Sequence, residues 1–248
     1  VLNKEFKIPP VAAAALPDGG RALVATEGAV HLLDLSSGEE LRQWANPRGN
    51  ILGLAVAPGG RHFLTAVSDG TARLWEVGKA EEVHAFDIDP NLPVTCVAVS
   101  PDGRWVLAGC GDGSVTLVDV VRNRSKKQPA AHPGGISALA FAPDLGMIIT
   151  AGADRKVRFW DGTFTRDVIA PTEVEAVVLA LRFCDARRLL AAGPGETVHL
   201  WDVASRKRLE PFKVREGANS IAVDRDGRLL LVGGRDSVLR LYRLPEER

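Results

Sequence analysis

Three side chains in the middle of the sequence, His132, Thr150 and Asp154, are of the types a nucleophilic triad uses: a base, a hydroxyl and an orienting carboxylate. Residue types alone are not a site, because nucleophile, base and orienting group must converge. His31 and His199 occupy matching places near the end of an apolar stretch, but Arg73, Thr116, Arg158 and Arg240 fill that place elsewhere. A place that is polar throughout reads as a recurring structural feature rather than a catalytic site. His62 and His84 stand alone, whereas a metal site needs several converging ligands. The three cysteines, Cys96, Cys110 and Cys184, are an odd number with no C-x-x-C pair, so neither a closed disulfide framework nor a zinc site is expected. All three lie in apolar runs and read as small buried hydrophobes, which fits a reducing, cytoplasmic setting. The glycine-rich GCGDGS from Gly109 to Ser114 leads toward a strand and lacks the helix N-terminus that makes such loops hold phosphate. The chain is therefore expected to be non-enzymatic, with no cofactor and no metal.

Bulk composition narrows the partners. The 248 residues are 46% apolar and 25% charged, ordinary for a folded globular chain. Basic and acidic side chains number 31 each, so the cationic excess that drives nucleic-acid binding is absent. The local clusters Arg122, Arg124, Lys126, Lys127 and Arg206, Lys207, Arg208 read as solvated turns. No apolar run reaches the ~18 residues that would span a bilayer, so no membrane partner is expected. The chain begins at Val1 and is read as a processed protein or a domain of a larger one. Its Ala/Gly-rich, Arg-over-Lys composition suggests a bacterial source with a high-GC genome.

The elements that must position these residues are set by a repeat. In 94–120, VTCVAVSPDGRWVLAGCGDGSVTLVDV, an apolar strand ends in Pro-Asp-Gly, a second ends in Gly-Asp-Gly, and a third closes on an apolar residue before Asp. The turn position recurs at Pro17, Pro58, Pro101, Pro143, Asp185 and Arg225, and the third-strand end at Leu33, Trp75, Val118, Trp160, Trp201 and Tyr242. Both landmarks keep a spacing of 40 to 43 residues, so the register is trustworthy. Pro presets φ, Asp bonds its local backbone and Gly accepts positive φ, which gives each turn a mechanism. A more polar fourth strand follows five of the triplets, at 41–45, 82–87, 125–130, 167–171 and 208–213. Four strands per unit at this period are the signature of propeller blades, which bury their faces only by stacking.

These residues resemble the WD-repeat family. Trp160-Asp161 and Trp201-Asp202 match its name-giving dipeptide, and Trp75-Glu76 is close. The resemblance implies a polar series that pins a blade, here His132, Thr150, Asp154 and Trp160 in the fourth unit. The second unit keeps Thr65, Asp69 and Trp75, with Pro47 where the histidine would stand. The third and sixth keep only Asp112 and Asp236, and the first and fifth have lost nearly all of it. The expected fold is a single all-β domain over 1–248: a six-bladed propeller of four-stranded antiparallel blades at about 11–45, 51–87, 94–130, 136–171, 178–213 and 219–244. Residues 3–8 are expected to supply the last blade's fourth strand. The family norm is seven blades, and the alternative is that 3–8 end an earlier blade of a larger ring. A monomer is expected, with a blade-exchanged oligomer as the other possibility.

What the resemblance implies about function is a scaffold for protein–protein interaction, of a kind often found as a domain of larger bacterial proteins. Partners of such proteins sit where the fourth-to-first and second-to-third strand loops emerge. There the sequence places Arg48, Arg155 and Arg235, a residue type favoured at hot spots, among Asn50, Asn91, Glu173, Glu175 and Asn219. The alternative is a small-ligand or enzymatic propeller using its central channel. Against it, the first strands carry AAAAL, LGLAVA, CVAVS and ALAFA, small and apolar. Trp44, on an outer strand, is expected to pack on its own blade.

Overall fold

The computed structural model describes residues 8–46, 48–143, 146–215, 217–218, 220–223, 228–233 and 239–244. All its regular structure is antiparallel strand, and no described helix is long and apolar enough to cross a membrane. By contacts the chain falls into two compact units, Val1–Pro129 and Ala130–Arg248. In a repeat chain each unit touches mainly its sequence neighbours, so contact density divides between sheets rather than through one.

The first unit holds three sheets, each with strands side by side in chain order. Sheet 1 is Ala12–Ala15, Arg21–Ala25, Ala29–Asp34 and Glu40–Ala45. Sheet 2 is Ile51–Val56, His62–Val67, Thr71–Glu76 and Glu82–Asp87; sheet 3 is Val94–Val99, Trp105–Cys110, Val115–Asp119 and Arg124–Gln128. The second unit holds sheet 4 (Ile136–Phe141, Met147–Gly152, Lys156–Asp161, Asp167–Glu173) and sheet 5 (Ala180–Phe183, Arg188–Ala192, Thr197–Asp202, Lys207–Lys213). Sheet 6 has three described strands, Ser220–Val223, Leu229–Gly233 and Leu239–Arg243. The strand expected at 3–8 to complete it lies, apart from Ile8, outside the described residues.

The turns form for local reasons. At Pro101–Gly103, Gly103 takes φ 71° and its N–H donates to Ser100 O at 2.9 Å, while Asp102 Oδ1 accepts from Arg104 N at 3.0 Å. Strand alternation then gives every central sheet two apolar faces. In sheet 5, Leu189, Ala191 and Trp201 join a cluster with Ile149, Ala151 and Phe159 of sheet 4. The intervening Leu190, Ala192 and Leu200 join another with Leu230 and Val232 of sheet 6. Equivalent cores lie between sheets 1 and 2 and between sheets 2 and 3.

Trp44 joins its own sheet to the next. It is 1% exposed, shares a core cluster with Leu23, Val30 and Leu32 of sheet 1, and lies edge-on to Phe63 of sheet 2, ring centroids 5.0 Å apart. Its Nε1 donates to Lys79 O at 2.7 Å. Trp44 stands on the face that sheet 1 turns to its neighbour, so the outer strand closes the inter-sheet core instead of offering an anchor to solvent.

Candidate functional site

Sheet 4 brings His132, Thr150, Asp154 and Trp160 into one chain of hydrogen bonds. Thr150 is in the second strand and Trp160 in the third, with Ile148 opposite Trp160 across the ladder. Two residues along from Ile148 the strand presents Thr150 on the same face, so Trp160 Nε1 donates to Thr150 Oγ1 at 2.9 Å. His132 enters from the loop before sheet 4, over Gly152, where any Cβ would collide with it. His132 Nε2 lies 2.7 Å from Thr150 Oγ1 and Nδ1 2.7 Å from Asp154 Oδ1.

Donor–acceptor matching fixes the protons. Nδ1–H must donate to the Asp154 carboxylate, which only accepts. Thr150 already accepts from Trp160, so its own O–H is best satisfied by donating to a bare Nε2. The neutral imidazole thus leaves no group unpaired, whereas an imidazolium would strand the threonine proton. Electrostatics agree: burial pushes the His132 pKa below its ordinary value, and the Asp154 carboxylate opposes this only in part. His132 and Thr150 have no solvent-exposed surface, so no substrate reaches the hydroxyl in this arrangement.

Sheet 2 keeps half of the series. Trp75 Nε1 donates to Thr65 Oγ1 at 3.0 Å. Asp69 instead accepts from Thr71 Oγ1 at 2.6 Å and from Arg73 at 2.7 Å. In sheet 5 the residues ten and six before Trp201 are Ala191 and Gly195, where sheet 4 has Thr150 and Asp154. Among the described residues Trp201 Nε1 has no acceptor, although Trp201 is 1% exposed. The lost side chains leave a small recess lined by Ala191, Gly193, Gly195, Val178, Thr197 and Glu175. At its rim Thr197 Oγ1 donates to Glu175 at 3.0 Å and accepts from Lys213 Nζ at 3.0 Å.

The recurring polar place in the third strand meets the fourth strand nine residues on. The pairs are His31–Glu40 at 3.3 Å, Arg73–Glu82 at 2.8 Å, Arg158–Asp167 at 3.3 Å and His199–Arg208 at 2.6 Å. In the last, Arg208 donates to His199 Nδ1; burial first and then the guanidinium charge hold the His199 pKa down. Burial pushes all three cysteine thiols up, Cys96 to about 12 and Cys184 to about 11. Among the described residues no group of three or more His, Cys, Asp or Glu side chains is arranged to hold a metal ion.

Of the three arginines expected on partner-facing loops, Arg48 is exposed in the first unit, in a loop whose carbonyls at Arg48 and Gly49 accept from Asn46 Nδ2 at 2.9 and 3.0 Å. Arg155 is exposed in the second unit at the 2–3 turn of sheet 4, with φ 58°. Arg235 lies outside the described residues, as do Pro47 and Asp236. One charged residue escaped the composition-based reading of the first strands. Arg182, in the first strand of sheet 5, is exposed, and its Nη1 donates to Leu181 O at 2.9 Å.

Comparison with known proteins places this architecture. The family model for the WD domain, G-beta repeat, matches residues 38–76, 82–119, 124–161 and 211–243, more than half of the chain. Three of these stretches run from one sheet's fourth strand through three strands of the next, and the first three strands of sheet 5 fall outside the match. Pre-mRNA-processing factor 19 of Oryza sativa subsp. japonica is 25% identical over 86% of the chain and 41% of its own length. Small ribosomal subunit protein RACK1 of Caenorhabditis elegans is 24% identical over 49% of the chain and 40% of its own length. WD repeat-containing protein 90 of Xenopus tropicalis is 24% identical over 84% of the chain and 12% of its own length. The chain therefore matches less than half the length of each of these relatives. With six antiparallel sheets as its blades, this chain belongs to the WD40-repeat family, and its fold class is the six-bladed β-propeller.

Proposed function

We propose that the chain is a non-catalytic scaffold for protein–protein interaction, acting through the loops that carry Arg48, Arg155 and Arg235. One observation carries the reading: the triad-like group, His132 with Thr150 and Asp154, is spent inside sheet 4 with His132 and Thr150 fully buried. Function is then left to exposed loop residues on a rigid frame. The balance of 31 basic and 31 acidic side chains favours protein over nucleic acid as the partner. A relative named as a protein of the small ribosomal subunit works within an assembly, which is the same mode of action. The relatives named above are eukaryotic and lend no support to a bacterial source.

The test begins with affinity capture from the source cell, identification of the partner and a Kd by calorimetry. Arg48→Ala, Arg155→Ala and Arg235→Ala then each weaken binding, by about 30-fold for a hot spot worth about 2 kcal/mol. Unchanged Kd in all three variants refutes the assigned loops. A turnover activity abolished by Thr150→Val in folded protein refutes the non-catalytic reading.

A further inference from the structure

In four sheets the polar place of the third strand reaches a residue nine further on, in the fourth strand. His31 faces Glu40, Arg73 faces Glu82 and Arg158 faces Asp167, so in sheets 1, 2 and 4 the outer strand supplies a carboxylate. Sheet 5 reverses the arrangement. Its outer strand supplies a cation, Arg208, whose Nη2 lies 2.6 Å from His199 Nδ1. A guanidinium only donates, so Nδ1 must be the bare nitrogen and the ring proton sits on Nε2. A second proton on the ring would go to Nδ1. It would set N–H against N–H and cation against cation.

The surroundings suit the neutral ring. His199 is 4% exposed. The charged groups acting on it are Arg208 and Lys213 of the fourth strand and Glu175 of the loop before the first strand. On the same face Leu181 of the first strand, Ala191 of the second, Trp201 of its own strand and Phe159 of sheet 4 carry no charge. Burial first, then two cations against one carboxylate, keep the imidazole uncharged, and Glu175 is already engaged by Thr197 at 3.0 Å. The ladder is also weakest here. Val198 pairs with Phe212 and Leu200 with Leu209, so Glu210 and Pro211 bulge opposite His199, and Pro211 has no N–H to give. Side chains tie this edge strand back instead: Arg208 to His199, and Lys213 to Thr197 at 3.0 Å. Arg208 itself is exposed and can swing into water.

We propose that the Arg208–His199 contact is an acid-operated latch on the outer strand of sheet 5: a proton taken up at Nδ1 expels the guanidinium and frees residues 207–213 at their bulge. Proton balance sets the sign and the size. Below the ordinary histidine value of 6.5 the released arrangement binds one proton more than the closed one, which holds the imidazole pKa low. The released population then grows about tenfold per pH unit. Sheet 1 responds in the opposite sense, because protonating His31, 3.3 Å from Glu40, turns that contact into an ion pair. One outer strand is thus acid-labile while its counterpart is not.

Amide hydrogen exchange of the whole chain, read by NMR and divided by the intrinsic rate at each pH, tests the latch. Between about pH 6.5 and about pH 5.5 the protection of 207–213 is expected to fall about tenfold, while that of 40–45 does not fall. Arg208→Glu, at an exposed position, places a carboxylate where sheet 1 has Glu40, and the fall is expected to vanish. The ring nitrogen resonances of His199 are expected to show the proton on Nε2 at neutral pH. Protection of 207–213 that stays flat, that falls equally in Arg208→Glu, or that falls no more than that of 40–45 overturns the proposal. A ring proton on Nδ1 at neutral pH overturns it as well.

Discussion

Thr150→Val keeps the β-branched shape of a buried side chain and deletes one oxygen. That oxygen accepts from Trp160 Nε1 at 2.9 Å and lies 2.7 Å from His132 Nε2. Thr150 and His132 are 0% exposed and Trp160 is 3% exposed, so water does not replace the missing group. Two buried polar groups lose the partner that satisfied them, at about 1–3 kcal/mol each, so the variant should lose about 2–6 kcal/mol. Thr65→Val supplies an internal scale. In sheet 2 the threonine oxygen satisfies Trp75 alone at 3.0 Å, with Asp69 engaged by Thr71 and Arg73. One orphaned group instead of two predicts about half the cost. Urea unfolding followed by tryptophan fluorescence and by far-UV circular dichroism measures both variants, and coincidence of the two probes tests whether one free energy describes the transition. Thr150→Ser keeps the oxygen and should stay well above Thr150→Val. If Thr150→Val falls within about 0.5 kcal/mol of wild type, the range of an ordinary surface change, the hydrogen-bonded series is not what holds sheet 4. Equal losses from Thr65→Val and Thr150→Val would show that the histidine link adds nothing.

Other perturbations follow from the same contacts. Ala191→Ser places a hydroxyl where Trp201 Nε1 lacks an acceptor and should stabilise by about 0.5–1.5 kcal/mol in urea unfolding. Trp44→Ala should cost about 3–5 kcal/mol by calorimetry, and Trp44→Phe less, losing chiefly the bond to Lys79 O; neutrality of both would mean that the outer strand is not part of the core. Stability should fall as pH drops below about 6.5, because unfolded histidines bind protons there while His132 and His199, held low in the fold, do not. A second loss is expected below the ordinary Asp value of 3.8, where the unfolded chain protonates carboxylates that the fold keeps ionised, Asp34 and Asp161 down to about 2; a urea midpoint flat from pH 7 to 3 contradicts both steps.

Much of the fold was legible because the turns carry their own chemistry. Ser100, Asp102 and Gly103 build a turn from local bonds, so a turn position recurring every 40 to 43 residues, spelled Pro-Asp-Gly at Pro17 and Pro101, marks the same structural joint each time. The series in sheet 4 was legible through the resemblance to the WD-repeat family; in the ladder Thr150 stands two residues beyond Ile148, diagonally across from Trp160. The side of the sheet to which Trp44 turns was not. Alternation separates two faces but does not say which neighbour each face meets until the sheets are stacked. Arg182 stayed hidden for a related reason. First strands compared by composition look uniformly small and apolar in four repeats, and the fifth, Leu181-Arg182-Phe183, does not resemble them. Only the ladder register aligns Arg182 with Ala140 and shows it as one substitution in a fixed position.

Sheet 5 is where these departures gather, and the architecture explains why it can carry them. Trp201 lacks its acceptor, the positions of Thr150 and Asp154 are Ala191 and Gly195, and an arginine stands where the other sheets have alanine. The family model passes over the first three strands of this sheet, as it does over those of sheet 1. Sheet 5 keeps its strand ladders but lacks the buried polar series that pins sheet 4. Sheet 5, however, is clamped on one face by Phe159 and Ile149 of sheet 4 and on the other by Leu230 and Val232 of sheet 6. Burial of those flanks, at about 25 cal/mol per Å² of apolar surface, is indifferent to whether Trp201 finds an acceptor. Stability supplied by neighbours relieves the interior positions of one repeat from a structural duty. That is the condition under which a chain of repeated units can let one of them diverge while the rest keep the frame.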